Sequence, residues 1–240
     1  MVDAQGALLS VVLLDFTLAA LVVGGFWLGV TLTRLTGRKT GYSLTPLGFS
    51  RPRGGVLIGV VAGVAVGVGA IIVSAIVNPL SVLVLERLGY STESTVQQPF
   101  MRGLVGWVSE SPGLAVPAII LVVVLFGPAV EELVFRGAVF NGLYRLGAMV
   151  SSRSVGENDF TPAARKVSFA LSALASSVLF ALLHLEPVLL PALLILAFTL
   201  CALFQRTQSL LPPFVAHATF NAFAASLIIL SGLGIFEIPI

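Results

Sequence analysis

The chain has 240 residues, of which 57% are hydrophobic and 10% are charged, and its mean hydropathy is +1.05. Soluble globular domains average about 45–50% apolar and about 25% charged residues, so the composition excludes that class of protein. The formal net charge is only +2, and the single cysteine excludes an intrachain disulfide and a multi-cysteine metal cluster.

Apolar stretches of membrane-spanning length recur along the chain, and they cover residues 8–32, 56–77, 114–146, 167–185, 188–204 and 213–233. A helix crosses the hydrocarbon core with about 20 apolar residues, whereas a β-barrel shows alternating strands of about ten residues. We therefore predict an all-α, polytopic transmembrane helical bundle with about six spans, forming a single membrane domain over residues 1–240. The lipid bilayer is then its surroundings and first partner.

Basic residues fall between these stretches on one side of the predicted membrane. Simple alternation of spans places ten of the thirteen on that side: Arg34, Arg38, Lys39, Arg51, Arg53, Arg145, Arg153, Arg165, Lys166 and Arg206. By the positive-inside rule these loops are cytoplasmic and the N-terminus lies outside. We expect an integral protein of the plasma membrane with no nucleic-acid partner, because its basic residues are topological signals.

Two stretches carry further structural signals. Gly59, Gly63 and Gly67 recur every four residues in the second stretch, which predicts close packing against another helix. The region 78–112 mixes apolar and charged residues, and it is typical of interfacial helices that pack at the membrane surface or cover a cavity.

The third stretch is too long for one straight span. Its 33 residues would extend about 50 Å, against a hydrocarbon thickness of about 30 Å. Gly127 and Pro128 predict a kink or a break there, so seven or eight membrane segments remain an open alternative.

The same stretch contains charged residues that are costly in a bilayer. Glu131, Glu132 and Arg136 follow thirteen uncharged residues, and each charge costs roughly 2.5–3.5 kcal/mol on insertion scales. Glu132 and Arg136 are four positions apart and can form an ion pair on one helical face. Glu131 points about 100° away, which leaves it facing the bundle interior as a candidate for proton transfer.

Both histidines lie in later apolar stretches. His217 and Asn221 share a helical face, where they can hold a water, a metal or a polarised carbonyl, or can simply join two helices by a hydrogen bond. His184 follows Phe180 by one turn, so that this ring can fix the imidazole. Counting about 1.5 Å per residue from the nearest basic residue gives depths of about 16–27 Å for Glu131, His184 and His217.

These polar side chains can therefore meet inside the membrane. A glutamate with an imidazole can deprotonate water, and an imidazole with a side-chain amide can stabilise an oxyanion. Those are the requirements for hydrolysing an amide bond.

Three motifs in successive apolar stretches resemble those of a known family. They are Glu131-Glu132-x-x-x-Arg136, Phe180-x-x-x-His184 and His217-x-x-x-Asn221. In this order they are similar to the signature of the CAAX protease and bacteriocin-processing family of intramembrane endopeptidases, which is related to the type II CAAX prenyl endopeptidase. The resemblance covers residues 114–226 as a catalytic core, and the N-terminal third is unmatched.

The resemblance implies a role for each motif residue, with Phe180, Glu132 and Arg136 supporting the site. Glu131 would be the general base, His184 would help to hold the attacking water, and His217 and Asn221 would stabilise the oxyanion. Some members of the family are described as metalloproteases, and zinc held by Glu131, His184 and His217 is an alternative to a metal-free mechanism. The resemblance does not firmly imply any cofactor, and zinc is the possible one.

Two other functions are compatible with this pattern. One is a non-catalytic membrane protein of the same fold, acting in bacteriocin immunity or as a scaffold. The other is a transporter or proton relay, which the absence of an inverted repeat disfavours. For an endopeptidase the partner is a peptide or protein substrate, and a prenylated C-terminal peptide, a peptide precursor and a membrane-protein tail are the alternatives.

Overall fold

The computed structural model describes residues 4–37, 40–94, 96–155 and 161–237. In these ranges the chain forms seven helices: α1 Ala4–Leu35, α2 Val56–Arg87, α3 Gln97–Glu110, α4 (112–155), α5 Pro162–Leu182, α6 Leu190–Thr207 and α7 Leu211–Gly232. Six of them, all except α3, are long and apolar enough to cross a membrane. The all-α fold with six spans is therefore confirmed.

Helix α4 changes from π-helical to α-helical winding at Gly127 and returns to π-helical winding after Glu132. Wider π-helical stretches, Ile120–Phe126 and Leu133–Phe140, flank that segment on both sides. The chain continues as a helix through Gly127 and Pro128, so of the predicted kink or break the break is absent, and six of the seven described helices are candidate spans. The π winding pairs an N–H with the carbonyl five residues back, and it tolerates a proline that has no N–H.

The glycine face of α2 is buried against α7, as the sequence predicted. A methyl group on Gly63 would lie 2.7 Å from the carbonyl oxygen of Pro212, and one on Gly67 would lie 2.5 Å from that of Ala216. Real side-chain carbons do not approach so closely, so only glycine allows this contact between the two backbones. This packing holds α7 in place at Ala216, and it thereby positions His217, the next residue of the same helix.

The region between α2 and α4 differs in part from the prediction. Helix α2 runs on to Arg87, ten residues past the apolar stretch, and the amphipathic α3 then buries Leu104, Trp107 and Val108. The N-terminus of α3 is held by Glu186, whose Oε1 accepts from the backbone N–H of Gln97 at 2.7 Å. The predicted surface helix is therefore present, and it packs on the bundle.

A short loop closes the opposite end of the bundle. It contains the 3₁₀ turn Thr45–Leu47, and the carbonyl oxygen of Pro46 accepts from Asn141 Nδ2 at 2.6 Å and from Arg145 Nη2 at 3.2 Å. The N–H of Arg53 donates to the carbonyl of Thr207 at 2.9 Å.

Basic residues of α4, of the loop and of the end of α6 thus gather at one end of the bundle. The predicted cytoplasmic orientation of this end stays a prediction. Arg38, Lys39 and the side chain of Arg153 lie outside the described residues.

Candidate active site

The centre of the site is one buried carboxylate oxygen with two basic partners. Oε1 of Glu132 lies 2.9 Å from Arg136 Nη1 and 2.9 Å from His217 Nδ1. The side chains of Glu132, Arg136 and His217 are 1%, 0% and 3% exposed. The ion pair expected from the spacing of Glu132 and Arg136 is therefore present, and it also holds the histidine of α7.

Arg136 is enclosed by groups that suit a guanidinium. Its Nη2 donates to the carbonyl oxygen of Ala197 at 3.4 Å, and its Cζ lies 4.8 Å from the ring centroid of Phe180. A cation over an aromatic face is stabilised by about 0.5–2 kcal/mol, more when the cation is desolvated. The charge of Arg136 is thus balanced by Glu132 on one side and by an aromatic ring on the other.

The Glu132 contact orients the imidazole of His217. A carboxylate accepts hydrogen bonds, so Nδ1 carries the hydrogen and Nε2 is left for the other side of the ring. There Nε2 lies 3.8 Å from Oε2 of Glu131, which is within ion-pair range and longer than a hydrogen bond. Glu131 is 29% exposed, the most open side chain of this cluster.

His184 lies behind the ring of Phe180. The two ring centroids are 4.7 Å apart, and the ring of Phe180 also contacts His217, at 5.7 Å. Nδ1 of His184 lies 2.9 Å from the carbonyl oxygen of Phe180, so the hydrogen on that nitrogen is used within its own helix end. Among the described residues, no hydrogen bond or ion pair joins His184 to Glu131.

Asn221 contacts α4 at a carbonyl that lacks its usual backbone N–H partner, because Pro128 has no N–H. In the π winding the N–H of Gly127 bonds the carbonyl of Val122, so the next residue, Pro128, would pair with Val123 but has no N–H. Nδ2 of Asn221 donates to that carbonyl oxygen at 2.9 Å. Asn221 therefore lies against the turn of α4 that precedes Glu131.

A further carboxylate, which the motifs did not indicate, comes from α1. Asp15 is 6% exposed and lies on the buried stripe of α1 together with Ala4 and Leu8. It interacts electrostatically with Glu131. The signal was present in the sequence, because Asp15 is the lone charge between residues 4 and 33 and is as costly there as Glu131 is in its own stretch.

The predicted alternative ligand set of Glu131, His184 and His217 was tested against the positions of the side chains. In the part of the chain that the structure describes, no three His, Cys, Asp or Glu side chains converge in a way that would hold a metal ion. These three residues therefore do not fit a zinc centre.

A cavity of about 680 Å³ reaches this cluster from the end of the bundle that carries the Thr45–Leu47 turn. Its walls are mostly apolar, Arg51 lies at its outer part, and Glu132 is among the residues that line it. Volumes of about 300–1,000 Å³ are typical of sites that enclose a small ligand or a few residues of peptide. The cavity thus borders the cluster at Glu132, whereas Glu131, His217 and Asn221 are not among its lining residues.

A polytopic helical membrane protein with an acid–base centre inside its bundle is the class defined by this fold and site. Residues 113–223 match the family described as type II CAAX prenyl endopeptidase Rce1-like. The resemblance to the CAAX protease family that the three motifs predicted is therefore confirmed, and the chain is similar to CAAX-type intramembrane proteases.

One curated relative adds to this finding. The protein named Putative membrane peptidase YdiL, from Bacillus subtilis (strain 168), is 30% identical over 109 residues. The match takes in 45% of this chain and 36% of that protein, so it spans about a third of the relative's length. No solved structure matches the chain.

Proposed function

We propose that the protein is an intramembrane endopeptidase that hydrolyses a peptide bond near a membrane-associated or C-terminal segment of its substrate. The observation that carries the proposal is the contact of Glu132 Oε1 with both Arg136 and His217, at 2.9 Å each. This contact directs Nε2 of His217 toward Glu131. Glu132 has a cation bound to it, and Glu131 does not. Acid–base catalysis by a carboxylate and an imidazole needs the two groups side by side in this way.

In this mechanism Glu131 is the general base. It takes a proton from water while the water oxygen bonds to the carbonyl carbon and the carbonyl electron pair moves to oxygen. The C–N bond then breaks as the proton on Glu131 passes to the leaving nitrogen.

His217 and Asn221 stabilise the oxyanion. Nε2 of His217 faces Glu131 and can donate when the ring is protonated. The amide nitrogen of Asn221 has two hydrogens, and the bond to Val123 uses one of them. Glu132 and Arg136 position His217, and His184 steadies the site through the ring of Phe180.

The substrate in this proposal is a peptide or protein segment that enters through the 680 Å³ cavity. Apolar walls with one arginine suit an extended apolar segment that lies at the membrane surface. A prenylated C-terminal peptide, a peptide precursor and a membrane-protein tail all have that character, and they form the substrate panel for the test.

The test is peptide cleavage by the purified protein in liposomes, using prenylated and unprenylated fluorogenic peptides. Glu131→Gln keeps the size of the side chain and removes the base, so cleavage should fall by about 10²-fold or more with little loss of folded protein. Glu110→Gln, on the exposed end of α3, is the matched control and should cleave normally. Near-normal cleavage by Glu131→Gln would remove Glu131 from the mechanism.

The same preparation tests whether a metal takes part. The proposal expects active protein without stoichiometric zinc, as measured by elemental analysis. Near-stoichiometric zinc, with cleavage lost on chelation and restored by zinc, would contradict the metal-free mechanism.

A further inference from the structure

Asp15 is a buried carboxylate that the mechanism above does not use. It is 6% exposed, and its Oδ2 has no hydrogen-bond partner among the described residues. Its neighbours Leu14 and Phe16 are 59% and 67% exposed, as expected for lipid-facing residues, so α1 turns its one carboxylate inward. A buried carboxylate without a partner destabilises a fold, so one that is retained calls for a chemical reason.

The position of Asp15 is defined by Gly127 of α4. A methyl group on Gly127 would lie 3.1 Å from the carbonyl oxygen of Val122, 3.6 Å from Asp15 Oδ2 and 3.9 Å from Glu131 Oε1. Carboxylate oxygens from two helices thus lie next to Gly127, beside the proposed base, and glycine leaves the space between them free of a side chain.

The Val122 carbonyl already accepts from the N–H of Gly127. Both carboxylate oxygens accept hydrogen bonds, so the group that fits between them is a donor. Arg136 is not that donor, because it is bound to Glu132, and His217 faces Glu131 from α7 through Nε2. A water molecule has two hydrogens to donate, and when both are held, its lone pairs point away from the carboxylates. That arrangement suits a nucleophile.

We propose that Asp15 is a further catalytic residue, which together with Glu131 holds the attacking water beside Gly127. This inference rests on the proposed endopeptidase activity. One water hydrogen is held by Glu131, to which it passes as the oxygen bonds to the carbonyl carbon. The other is held by Asp15, which fixes the direction of attack and takes no proton. Asp15 thus takes the water-holding role that the family resemblance implied for His184, whose ring packs on Phe180. Asp15 lies outside the matched segment 113–223, so α1 completes the site.

The test compares Asp15→Leu, Asp15→Asn and Gly127→Ala with the wild type and with Gly24→Ala. Leucine removes both acceptors at similar size, asparagine keeps one, and alanine on Gly127 places a methyl where the water is held. Gly24 lies on α1 with nothing within 4 Å of an added methyl, so its variant controls for a change of helix propensity. Each protein is assayed for kcat, for KM and for thermal unfolding in detergent.

We expect kcat to fall by about tenfold or more in Asp15→Leu and Gly127→Ala, and by less in Asp15→Asn, with KM within about twofold. Asp15→Leu should unfold at the wild-type temperature or higher, because it removes a buried carboxylate that has no partner. A structural residue would behave in the opposite way, since activity and unfolding temperature would fall together.

Wild-type kcat in Asp15→Leu, or a loss of kcat matched by a loss of stability, would overturn the inference. If Glu131→Gln abolishes cleavage in the same assay while Asp15→Leu does not, only the role of Asp15 fails. If the wild type cleaves no peptide of the panel, the proposed function fails and the inference fails with it.

Discussion

Removing Arg136 should show how strongly the central ion pair supports the fold. Its guanidinium is 0% exposed and lies 2.9 Å from Glu132, with the ring of Phe180 at 4.8 Å. Arg136→Ala leaves Glu132 buried with His217 as its remaining partner, and it opens a space inside the bundle. Breaking a buried pair by removing one partner costs about 3–5 kcal/mol, because the other charge stays desolvated.

The structure places the effect at the lower end of that range. His217 still donates to Glu132 and can carry a positive charge, which offsets part of the loss, whereas the cation–π contact of about 0.5–2 kcal/mol is lost entirely. We therefore expect a loss of about 3 kcal/mol in the free energy of unfolding. For a chain of this size that corresponds to a melting temperature about 6–12 °C lower, and to less folded protein after purification.

The assay is thermal unfolding of the detergent-purified protein, followed by size-exclusion chromatography. Arg206→Ala removes an exposed arginine at the end of α6 and should melt like the wild type. Adding Glu132→Gln to Arg136→Ala should restore part of the stability, since a neutral amide needs no counter-charge. An Arg136→Ala protein that melts within about 2 °C of the wild type would refute the ion-pair reasoning.

Two further predictions concern orientation and the oxyanion. Thr40→Cys in a Cys201→Ser background should resist impermeant thiol reagents added to intact cells, because the positive-inside rule predicts a cytoplasmic basic loop. Labelling from outside would reverse the predicted orientation. Asn221→Ala should lower kcat by about 10²–10³-fold with little change in KM, since an oxyanion donor acts on charge that develops in the transition state. A raised KM with unchanged kcat would make Asn221 a binding or packing residue.

The sequence predicted those parts of the fold that depend on spacing along one helix. Six apolar stretches predicted the six spans, and the separation of Glu132 and Arg136 predicted their ion pair. The glycine face around Gly63 predicted close packing against another helix, which the structure shows to be α7. Each of these follows from helix geometry and the hydrophobicity of single segments, without knowledge of the partner helix.

The parts that were not predicted depend on how helices turn toward one another. The depth estimate could not show that Phe180 lies between the two histidine rings. The π winding of α4 could not be read from its sequence, and it decides that Asn221 meets the carbonyl of Val123. Asp15 was overlooked because the motif pattern drew attention to the later segments, although its charge was as unusual as that of Glu131.

The Thr45–Leu47 turn has a mechanical consequence for access to the site. Gly137 is next to Arg136 in the chain, and a methyl on it would lie 2.7 Å from the carbonyl oxygen of Leu47, so the turn rests directly on α4. The segment that follows the turn forms the wall of the cavity around Arg51. Any displacement of the turn that widens this entrance must break its contact with α4, the helix that carries Glu131. The width of the entrance and the position of α4 are therefore coupled through the contact between Leu47 and Gly137.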